Sequence, residues 1–181
     1  MSETPLERGD SGLVPAGDGW FVLNVADADW KTGVFGSYTT FERKSEDGPR
    51  TFEQMGMNVS HLAPGQPLCR YHGEENQEAF LVLKGEAVLI VEEQERQLRA
   101  WDLVHTPPWA DHVIVGAGEE GCTLFAFGTR SKTDALRYPR SELALSHGAG
   151  VEQATPDADV AYADVPPDVP VQFSPGWLPG Q

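Results

Sequence analysis

Short apolar segments separated by glycine and proline fill residues 51–129 of this chain, and they limit the folds that it can adopt. Each segment is rich in Val, Ile, Leu and Phe and has the length of a β-strand rather than of a helix. The main segments that we predict as strands are 51–63, 78–83, 86–92, 103–106, 112–115 and 122–129. Strands at this regular spacing favour a mostly β fold, a small antiparallel barrel or jelly roll.

A polar stretch precedes the strand that starts at Glu78. His72, Glu74 and Glu78 stand at i, i+2 and i+6, so they share one face of a sheet if the segment is extended. One imidazole and two carboxylates on one face are costly to bury without a cation between them. The alternative is a solvated hairpin turn, formed by GEENQE at 73–78, with His72 at a strand end.

A second histidine lies at the start of a later strand. The apolar run 103–106 ends at Pro107 and Pro108, and the chain returns at His112. This pattern predicts strand, rigid turn and strand. Two polar strand ends of this kind predict a barrel with a polar cluster at its mouth. Their nitrogen and oxygen ligands suit one divalent transition metal, Fe, Mn, Ni, Zn or Cu, without selecting among them.

Both polar segments resemble the two motifs of the cupin superfamily. The first cupin motif consists of Gly, a short spacer, His-x-His, three or four residues, Glu, six residues and Gly. The second consists of Gly, five residues, Pro-x-Gly, two residues, His, three residues and Asn. The positions in this chain that correspond to the first motif are Gly65, His72, Glu74, Glu78 and Gly85. Those that correspond to the second are Trp101, Pro107, Trp109, His112 and Gly116.

The chain departs from these motifs at several places. Glu74 stands where the second histidine is expected, and Gly65 lies one residue further from His72 than usual. Trp101 and Trp109 replace the two glycines of the second motif. A different register pairs Arg70 with His72, but it leaves five residues before Glu78 and supplies no first ligand. We therefore prefer His72 and Glu74.

The resemblance implies a cupin barrel, an antiparallel double-stranded β-helix or jelly roll, with short helices near the C-terminus. It also implies that His72, Glu74, Glu78 and His112 hold the metal and leave open positions for water or substrate. A carboxylate in place of an imidazole lowers the formal charge of the site by one unit. Anionic substrates should then bind more weakly, unless Glu74 stands off the metal and acts as a general base.

Further residues are candidates for the walls of the pocket. Arg70 shares the face of His72 in a regular strand, where it could bind a substrate carboxylate or pair with Glu74 or Glu78. Phe80 and Val82 follow Glu78 on the same face and predict an apolar floor. His105 either supports a ligand or is a buried structural histidine. Cys69 stands at an odd offset from His72, which points it to the opposite face as a buried thiol.

The whole chain is expected to form one domain, 1–181, with a core barrel at about 51–129, an N-terminal arm at 1–50 and a C-terminal wrapping segment at 130–181. In the arm, residues 20–25 and 37–44 have strand composition, and the resemblance suggests that the leading strand contributes to a homodimer.

The C-terminal segment differs in character from the barrel. Ser141 is a candidate N-cap for a helix that ends at His147, and Thr155–Pro156 is expected to open a second short helix. The proline-rich tail from Pro166 carries Phe173, Trp177 and Leu178, which suggests that it packs on the barrel or on a neighbour.

Charge narrows the range of partners. The formal net charge is −15, from 13 Lys and Arg against 28 Asp and Glu, which disfavours nucleic acid and anionic membranes as partners. No long apolar run and no secretory signal are present, so the expected location is cytoplasmic.

Three classes of function remain open. The first is a metal-dependent enzyme acting on a small organic molecule, of the dioxygenase, isomerase, decarboxylase or lyase type. The second is a non-catalytic cupin that binds a small ligand, and the third is a structural cupin with a vestigial metal site. The fold does not choose among them.

Overall fold

The computed structural model describes residues 2–42 and 51–180, and strands dominate this part of the chain. The strands before the barrel are β1 (Leu6–Arg8), β2 (Leu13–Pro15), β3 (Trp30–Gly33) and β4 (Gly36–Thr39). Those of the barrel and its edge are β5 (Met55–Leu62), β6 (Gly73–Glu74), β7 (Glu78–Val91), β8 (Gln94–Arg99), β9 (Leu103–Thr106) and β10 (His112–Thr129). They are followed by β11 (Leu136–Arg137), α1 (Glu142–Ser146), α2 (Ala158–Ala161) and β12 (Val169–Val171).

The main sheet has the strand order β12-β3-β4-β5-β10-β7-β8, with β9 paired to β7. Every named strand pair in it is antiparallel. The predicted mostly β jelly-roll barrel with few helices is therefore confirmed. No helix in the described residues is long and apolar enough to span a membrane.

Two long strands pass through positions where the sequence suggested turns. β7 continues through Lys84 and Gly85, and β10 continues through the glycine-rich segment 116–121. The pairing of β7 with β10 shifts register between Ala117 and Cys122. Gly85 has φ +78°, and a Cβ there would lie 2.0 Å from the carbonyl oxygen of Gly121. The glycine therefore permits a bulge that bends the paired strands without breaking them.

The core lies between the two faces of the barrel, because inward side chains alternate along β7 and β10. This core cluster consists of Leu62, Phe80, Val82, Ala87, Leu89, Leu98, Val104, Ile114, Cys122, Leu124 and Ala126. The opposite face of the same strands, at Val88, Ile90, Val113 and Val115, packs against Ala144 of α1. The C-terminal segment thus covers apolar surface that the barrel alone would leave in water.

The strand predicted at residues 20–25 is wrong. Trp20 makes a single bridge to Glu3, and a 3-10 turn follows at Val25–Asp27. Asn24 caps this turn, because its side chain accepts a hydrogen bond from the backbone N–H of Ala26. A local side-chain cap has outweighed the strand propensity of the apolar run. The strand predicted at 37–44 is present only in its first part, because β4 ends at Thr39 and residues 40–42 are not in a strand; residues 43 and 44 lie outside the described residues.

The two predicted helices are present, with one change of boundary. Ser141 is the N-cap of α1, and its side chain accepts a hydrogen bond from the N–H of Ala144. In the second helix the N-cap is Asp157, so Pro156 precedes the helix instead of starting it. Asp157 accepts from the N–H of Asp159, which makes it a cap and not only a favourable charge.

The tail lies against the start of the main sheet. β12 pairs with β3, and the rings of Phe173 and Trp177 lie 5.9 and 5.1 Å from the ring of Trp30, which is fully buried. Lys84 donates a 2.8 Å hydrogen bond to the carbonyl of Gly176. Apolar contact and backbone pairing together fix the tail on the barrel.

Candidate metal centre

Two histidines from distant parts of the sequence meet at the mouth of the barrel. The backbone N–H of His72 donates to the carbonyl of His112 at 3.1 Å, and the N–H of His112 donates to the carbonyl of His72 at 2.8 Å. This reciprocal pair sets the ring centroids 5.0 Å apart. Glu78, the first residue of β7, projects toward both rings.

The three side chains form a compact cluster. One ligand atom from each of His72, Glu78 and His112 lies within 4.8 Å of the others. Oε2 of Glu78 is 3.0 Å from Nε2 of His112 and 4.0 Å from Nε2 of His72. These distances allow one cation to contact all three atoms.

The hydrogen bonds of the two Nδ1 atoms determine the tautomers of His72 and His112. Nδ1 of His72 lies 2.9 Å from the carbonyl oxygen of Arg70, and Nδ1 of His112 lies 2.9 Å from that of Ala110. Each Nδ1–H therefore donates to the backbone, which leaves a lone pair on Nε2 directed at Glu78. Backbone hydrogen bonds of this kind orient metal-binding histidines.

Two atoms of the cluster lack a satisfactory partner. Oε2 of Glu78 and Nε2 of His112 are buried, and despite their short separation the two atoms do not have hydrogen-bond geometry. A lone pair then faces a carboxylate oxygen, which is costly unless a proton or a cation lies between them. The residues present therefore fit a divalent metal ion.

The protonation of the two histidines differs. Burial opposes a charge on His112, but the carboxylate of Glu78 outweighs burial and raises the pKa of His112. Burial, followed by the charge of the neighbouring His112, lowers the pKa of His72. In the absence of metal, the carboxylate of Glu78 thus favours a proton on His112. The same carboxylate would favour a metal cation at this place.

A cavity of about 260 Å³ opens beside the cluster. His72, Glu78 and His112 form part of its wall. A second cavity, of about 280 Å³, shares Glu78 with the first and contains Glu74. A larger cavity of about 460 Å³ lies elsewhere, between Arg70 and the two C-terminal helices, and has no member of the cluster in its wall. The cavities that matter for the cluster are the first two.

Comparison with protein families agrees with the fold. A family model described as a cupin domain matches residues 58–128, which include His72, Glu78 and His112. Residues 58–128 of the protein therefore form a cupin domain.

Several solved structures are similar to part of this chain. A candidate sugar phosphate isomerase from Acidithiobacillus ferrooxidans is 28% identical over 46% of this chain and 54% of that chain, with a TM-score of 0.43. A sugar phosphate isomerase of the cupin superfamily from Silicibacter pomeroyi is 24% identical over 46% and 60%, with a TM-score of 0.41. An RmlC-like cupin from Shewanella frigidimarina is 17% identical over 59% and 86%, with a TM-score of 0.46.

The similarity to these structures covers only part of each chain. The matches span only 54% and 60% of the two proteins described as sugar phosphate isomerases. A search of curated proteins returned no match.

Glu74 stands apart from the cluster of this cupin. It belongs to the two-residue strand β6, which pairs with β11, and its half-buried carboxylate lines the second cavity. The chain bends at residues 75–76, so the alternation that placed Glu74 beside Glu78 does not hold. Burial, and then the charge of Glu78, raise the pKa of Glu74 to about 7.

Arg70 does not line the pocket that contains His72, contrary to expectation. Its guanidinium donates to the carbonyl of Gly150 at 3.0 Å and to the carboxylate of Asp164 at 2.7 Å. It therefore holds the C-terminal segment and pairs with neither Glu74 nor Glu78. The reason is that residues 68–71 bend instead of forming a regular strand.

The same bends bring Cys69 to the pocket, although the sequence pattern pointed it away. Its Sγ lies 3.6 Å from Nδ1 of His72, and the residue lines the first cavity. Burial, followed by the charges of Glu78 and Glu74, raises the pKa of this thiol. Cys69 is thus a neutral thiol beside a candidate ligand.

Of the three other residues predicted to line the pocket, one lines it and two do not. Phe80 lines the first cavity, with its ring centroid 5.4 Å from that of His112. Val82 is fully buried in the core and does not line this cavity. His105 is exposed on the outer face of β9, with Nε2 3.4 Å from Oε1 of Gln77, so it neither supports a ligand nor lies buried. In β9 the inward positions belong to Val104 and Thr106.

One wall of the pocket was missed by the sequence analysis. Tyr38 lies on β4, Thr40 follows it directly, and Asn58 and Ser60 lie on β5; all four line the first cavity. The hydroxyl of Ser60 donates to Oδ1 of Asn58 at 2.9 Å. The alternation of Asn58 and Ser60 along a predicted strand was the available signal, since polar residues at every second position mark one face.

Proposed function

We propose that this cupin binds one divalent transition metal through His72, Glu78 and His112 and uses the site on a small organic molecule. The observation that supports the proposal most strongly is the pair of buried, unsatisfied atoms, Oε2 of Glu78 and Nε2 of His112. Two imidazole nitrogens and one carboxylate oxygen suit Fe, Mn, Ni, Zn or Cu, and this donor set is the one used by non-haem Fe(II) oxygenases. Three protein ligands leave coordination positions open.

The protein orients the two imidazole rings and gives the cavity one apolar wall. The backbone hydrogen bonds at Nδ1 hold the rings of His72 and His112 with Nε2 toward the site. Phe80, together with the apolar residues around it, excludes water from one side of the cavity. When bound, the metal would supply Lewis-acid or redox chemistry to the ligand.

Glu74 is proposed as a proton-transferring group instead of a metal ligand. It lies outside the cluster, yet it shares the second cavity with Glu78. Its half-buried position raises its pKa above the ordinary value for a glutamate, which favours exchange of a proton with a ligand in the cavity. This role favours isomerase or lyase chemistry, in which a proton is removed from carbon, while oxygenation and decarboxylation remain within the proposal.

A non-catalytic role is the alternative, because the position of the second motif histidine is occupied by Glu74, which stands off the cluster. In that case the metal or the empty pocket would hold a small ligand without converting it, or the site would be vestigial. A protein that binds metal but accelerates no conversion of a bound ligand would support the ligand-binding role. A protein that binds neither would support the structural role.

The proposal extends to assembly, location and domain division. Trp20 and Val22 of the N-terminal arm are 52% and 75% exposed, and apolar surface of this kind supports burial by a second copy. We propose a homodimer acting in the cytoplasm, with residues 1–181 as one domain. Light scattering of the purified protein tests the dimer directly.

Metal reconstitution tests the assignment of the ligands. Wild type, Glu78→Gln and Glu74→Gln are freed of metal, incubated with Co²⁺ and titrated while the visible absorption of the cobalt is recorded. Wild type and Glu74→Gln should bind one equivalent, whereas Glu78→Gln should lose the site. Equal binding by Glu78→Gln and wild type would overturn the ligand set, and loss in Glu74→Gln would make Glu74 a ligand.

A further inference from the structure

Charge is distributed unevenly around the two cavities beside the cluster. The first cavity contains the carboxylate of Glu78 and, among the described residues, no lysine or arginine. The second adds the carboxylates of Glu74 and Asp134 and one arginine, Arg130. Aspartate and glutamate therefore outnumber lysine and arginine in the described walls by three to one.

The one arginine of these walls already has partners. Its two terminal nitrogens are engaged, one by the carbonyl of Phe52 and the other by Oε1 of Glu42 at 3.1 Å. The side chain of Arg130 is 18% exposed, so the pair is largely buried and costly to break. Arg130 is thus committed to the protein, and its charge is balanced by Glu42.

Apart from the three residues of the cluster, the polar groups of the first cavity include uncharged hydroxyl and amide groups. Thr40, Asn58 and Ser60 offer hydroxyl and amide groups on one side. The amide oxygen of Asn58 is taken by the hydroxyl of Ser60, so its amide nitrogen is the group left to donate to a ligand. Leu68, Phe80 and Ile114 provide apolar surface on the other sides. Such walls suit hydroxyl or carbonyl oxygens joined to a short apolar skeleton.

We infer that the ligand of this site is a small, uncharged, oxygen-bearing organic molecule and that phosphate esters are excluded. The inference rests on the proposed metal site, and it adds the substrate class. A phosphate ester carries up to two negative charges and is normally bound by arginine, lysine or a helix N-terminus. Here it would meet the carboxylates of Glu74 and Glu78 instead, and the described walls hold no lysine or arginine other than Arg130, which is already paired with Glu42.

The volume of the cavities agrees with a small ligand. The first cavity, of about 260 Å³, lies near the lower end of the usual range for ligand pockets. The second adds about 280 Å³ through the shared wall at Glu78. A molecule in the first cavity reaches the cluster, while a longer one extends past Glu74.

Matched pairs of probes test the inference. Each pair consists of a small polyol or sugar and its phosphate ester, for example glycerol with glycerol 3-phosphate and xylose with xylose 5-phosphate. Binding to the Zn²⁺-loaded protein is measured at pH 8 by ligand-detected NMR and then by calorimetry. The uncharged member of a pair should bind at least about tenfold more tightly than its ester, since like charges at an interface are strongly unfavourable.

Substitution at the junction of the two cavities provides the matched control. Thr40 lines both cavities, so Thr40→Arg introduces an unpaired cation and Thr40→Gln a neutral side chain that also lengthens the residue. Thr40→Arg should shift the preference toward the phosphate esters, and Thr40→Gln should not. A shift of equal size in both variants would show that size, not charge, sets the preference.

Three outcomes would overturn the inference in the wild-type protein: tighter binding of the esters, equal binding of both members, or no binding of either member in any pair. Metal content, measured on the same samples, separates this failure from that of the proposed function. If the protein binds no metal, the proposed function fails, and the pairs are measured on the metal-free protein. The order of affinities is expected to be the same there, because the carboxylates are unchanged.

Discussion

His72 and His112 fix each other through their own backbones. Each donates its N–H to the carbonyl of the other, at 3.1 and 2.8 Å, and each donates Nδ1–H to the carbonyl two residues before it. The position of both Nε2 atoms is therefore set by main-chain geometry instead of by free rotation of two surface side chains. A site built in this way is organised before any ligand arrives.

Metal should stabilise the folded protein. The three candidate ligands exist together only in the folded chain, so binding favours folding, by about 2.7 kcal/mol at a free metal concentration 100 times Kd. Thermal unfolding of wild type is expected to shift upward with added Zn²⁺ and to return with chelator. Glu78→Gln should show no such shift. An equal shift in Glu78→Gln would place the bound metal elsewhere.

Trp101→Gly should stabilise the protein by about 1 kcal/mol, because a non-glycine residue in the left-handed region is strained. Trp101 has φ +76° and is 71% exposed, so the substitution loses little buried surface. Its backbone N–H, which donates to the carbonyl of Val82 at 2.7 Å, is kept. Urea denaturation measures the change, and a lower midpoint for Trp101→Gly would contradict it.

Trp109→Gly is the matched comparison. Trp109 also has a positive φ, +67°, but its ring lies 5.6 Å from the guanidinium carbon of Arg137. The gain from relieved strain is therefore offset by a lost cation–π contact, worth about 0.5–1 kcal/mol at an exposed site. The gain in urea midpoint should be smaller than for Trp101→Gly. A larger one would show that the contact contributes nothing.

The sequence predicted the fold and the residues of the cluster but not the local path between them. Alternation along an assumed strand placed Glu74 and Arg70 beside His72, because period-two reasoning has no means of detecting the bends at 68–71 and 75–76. The backbone explains why glycine is expected at the two motif positions, since Trp101 and Trp109 both have a positive φ that glycine adopts freely, but it does not explain the tryptophans. The backbone pairing of His72 with His112 joins distant parts of the sequence, and alternation along either segment does not reveal it.

Protonation of His61 should destabilise the fold as the pH falls. Burial, and then the charge of Lys84, lower the pKa of His61 below its ordinary value of 6.5. The unfolded chain therefore binds a proton at a pH where the folded chain does not, and stability is lost as the pH falls from 6.5 toward the folded pKa. The melting temperature of wild type relative to His61→Gln should decrease between pH 7 and pH 5. A constant difference would contradict this.

Removing the ring of Trp177 should loosen the tail. The ring lies 5.1 Å from that of Trp30 and stacks on His61 at 5.3 Å, and it is partly buried. Trp177→Ala should cost about 2 kcal/mol, less than the 3–5 kcal/mol typical of a fully buried aromatic. Digestion with carboxypeptidase should become faster than in wild type. Val169→Ala, at an exposed position of β12, is the control and should leave the rate nearly unchanged.

The metal content of the purified protein tests the central claim most directly. Untagged wild type, His112→Ala and His105→Ala are purified without chelator and examined by elemental analysis, with His105 as the control because it is exposed on the outer face of β9. Wild type and His105→Ala should contain close to one equivalent of Fe, Mn, Ni, Zn or Cu, and His112→Ala should contain almost none while remaining folded by circular dichroism. Metal retained in folded His112→Ala at the wild-type level, or no metal in wild type even after reconstitution, would contradict the account.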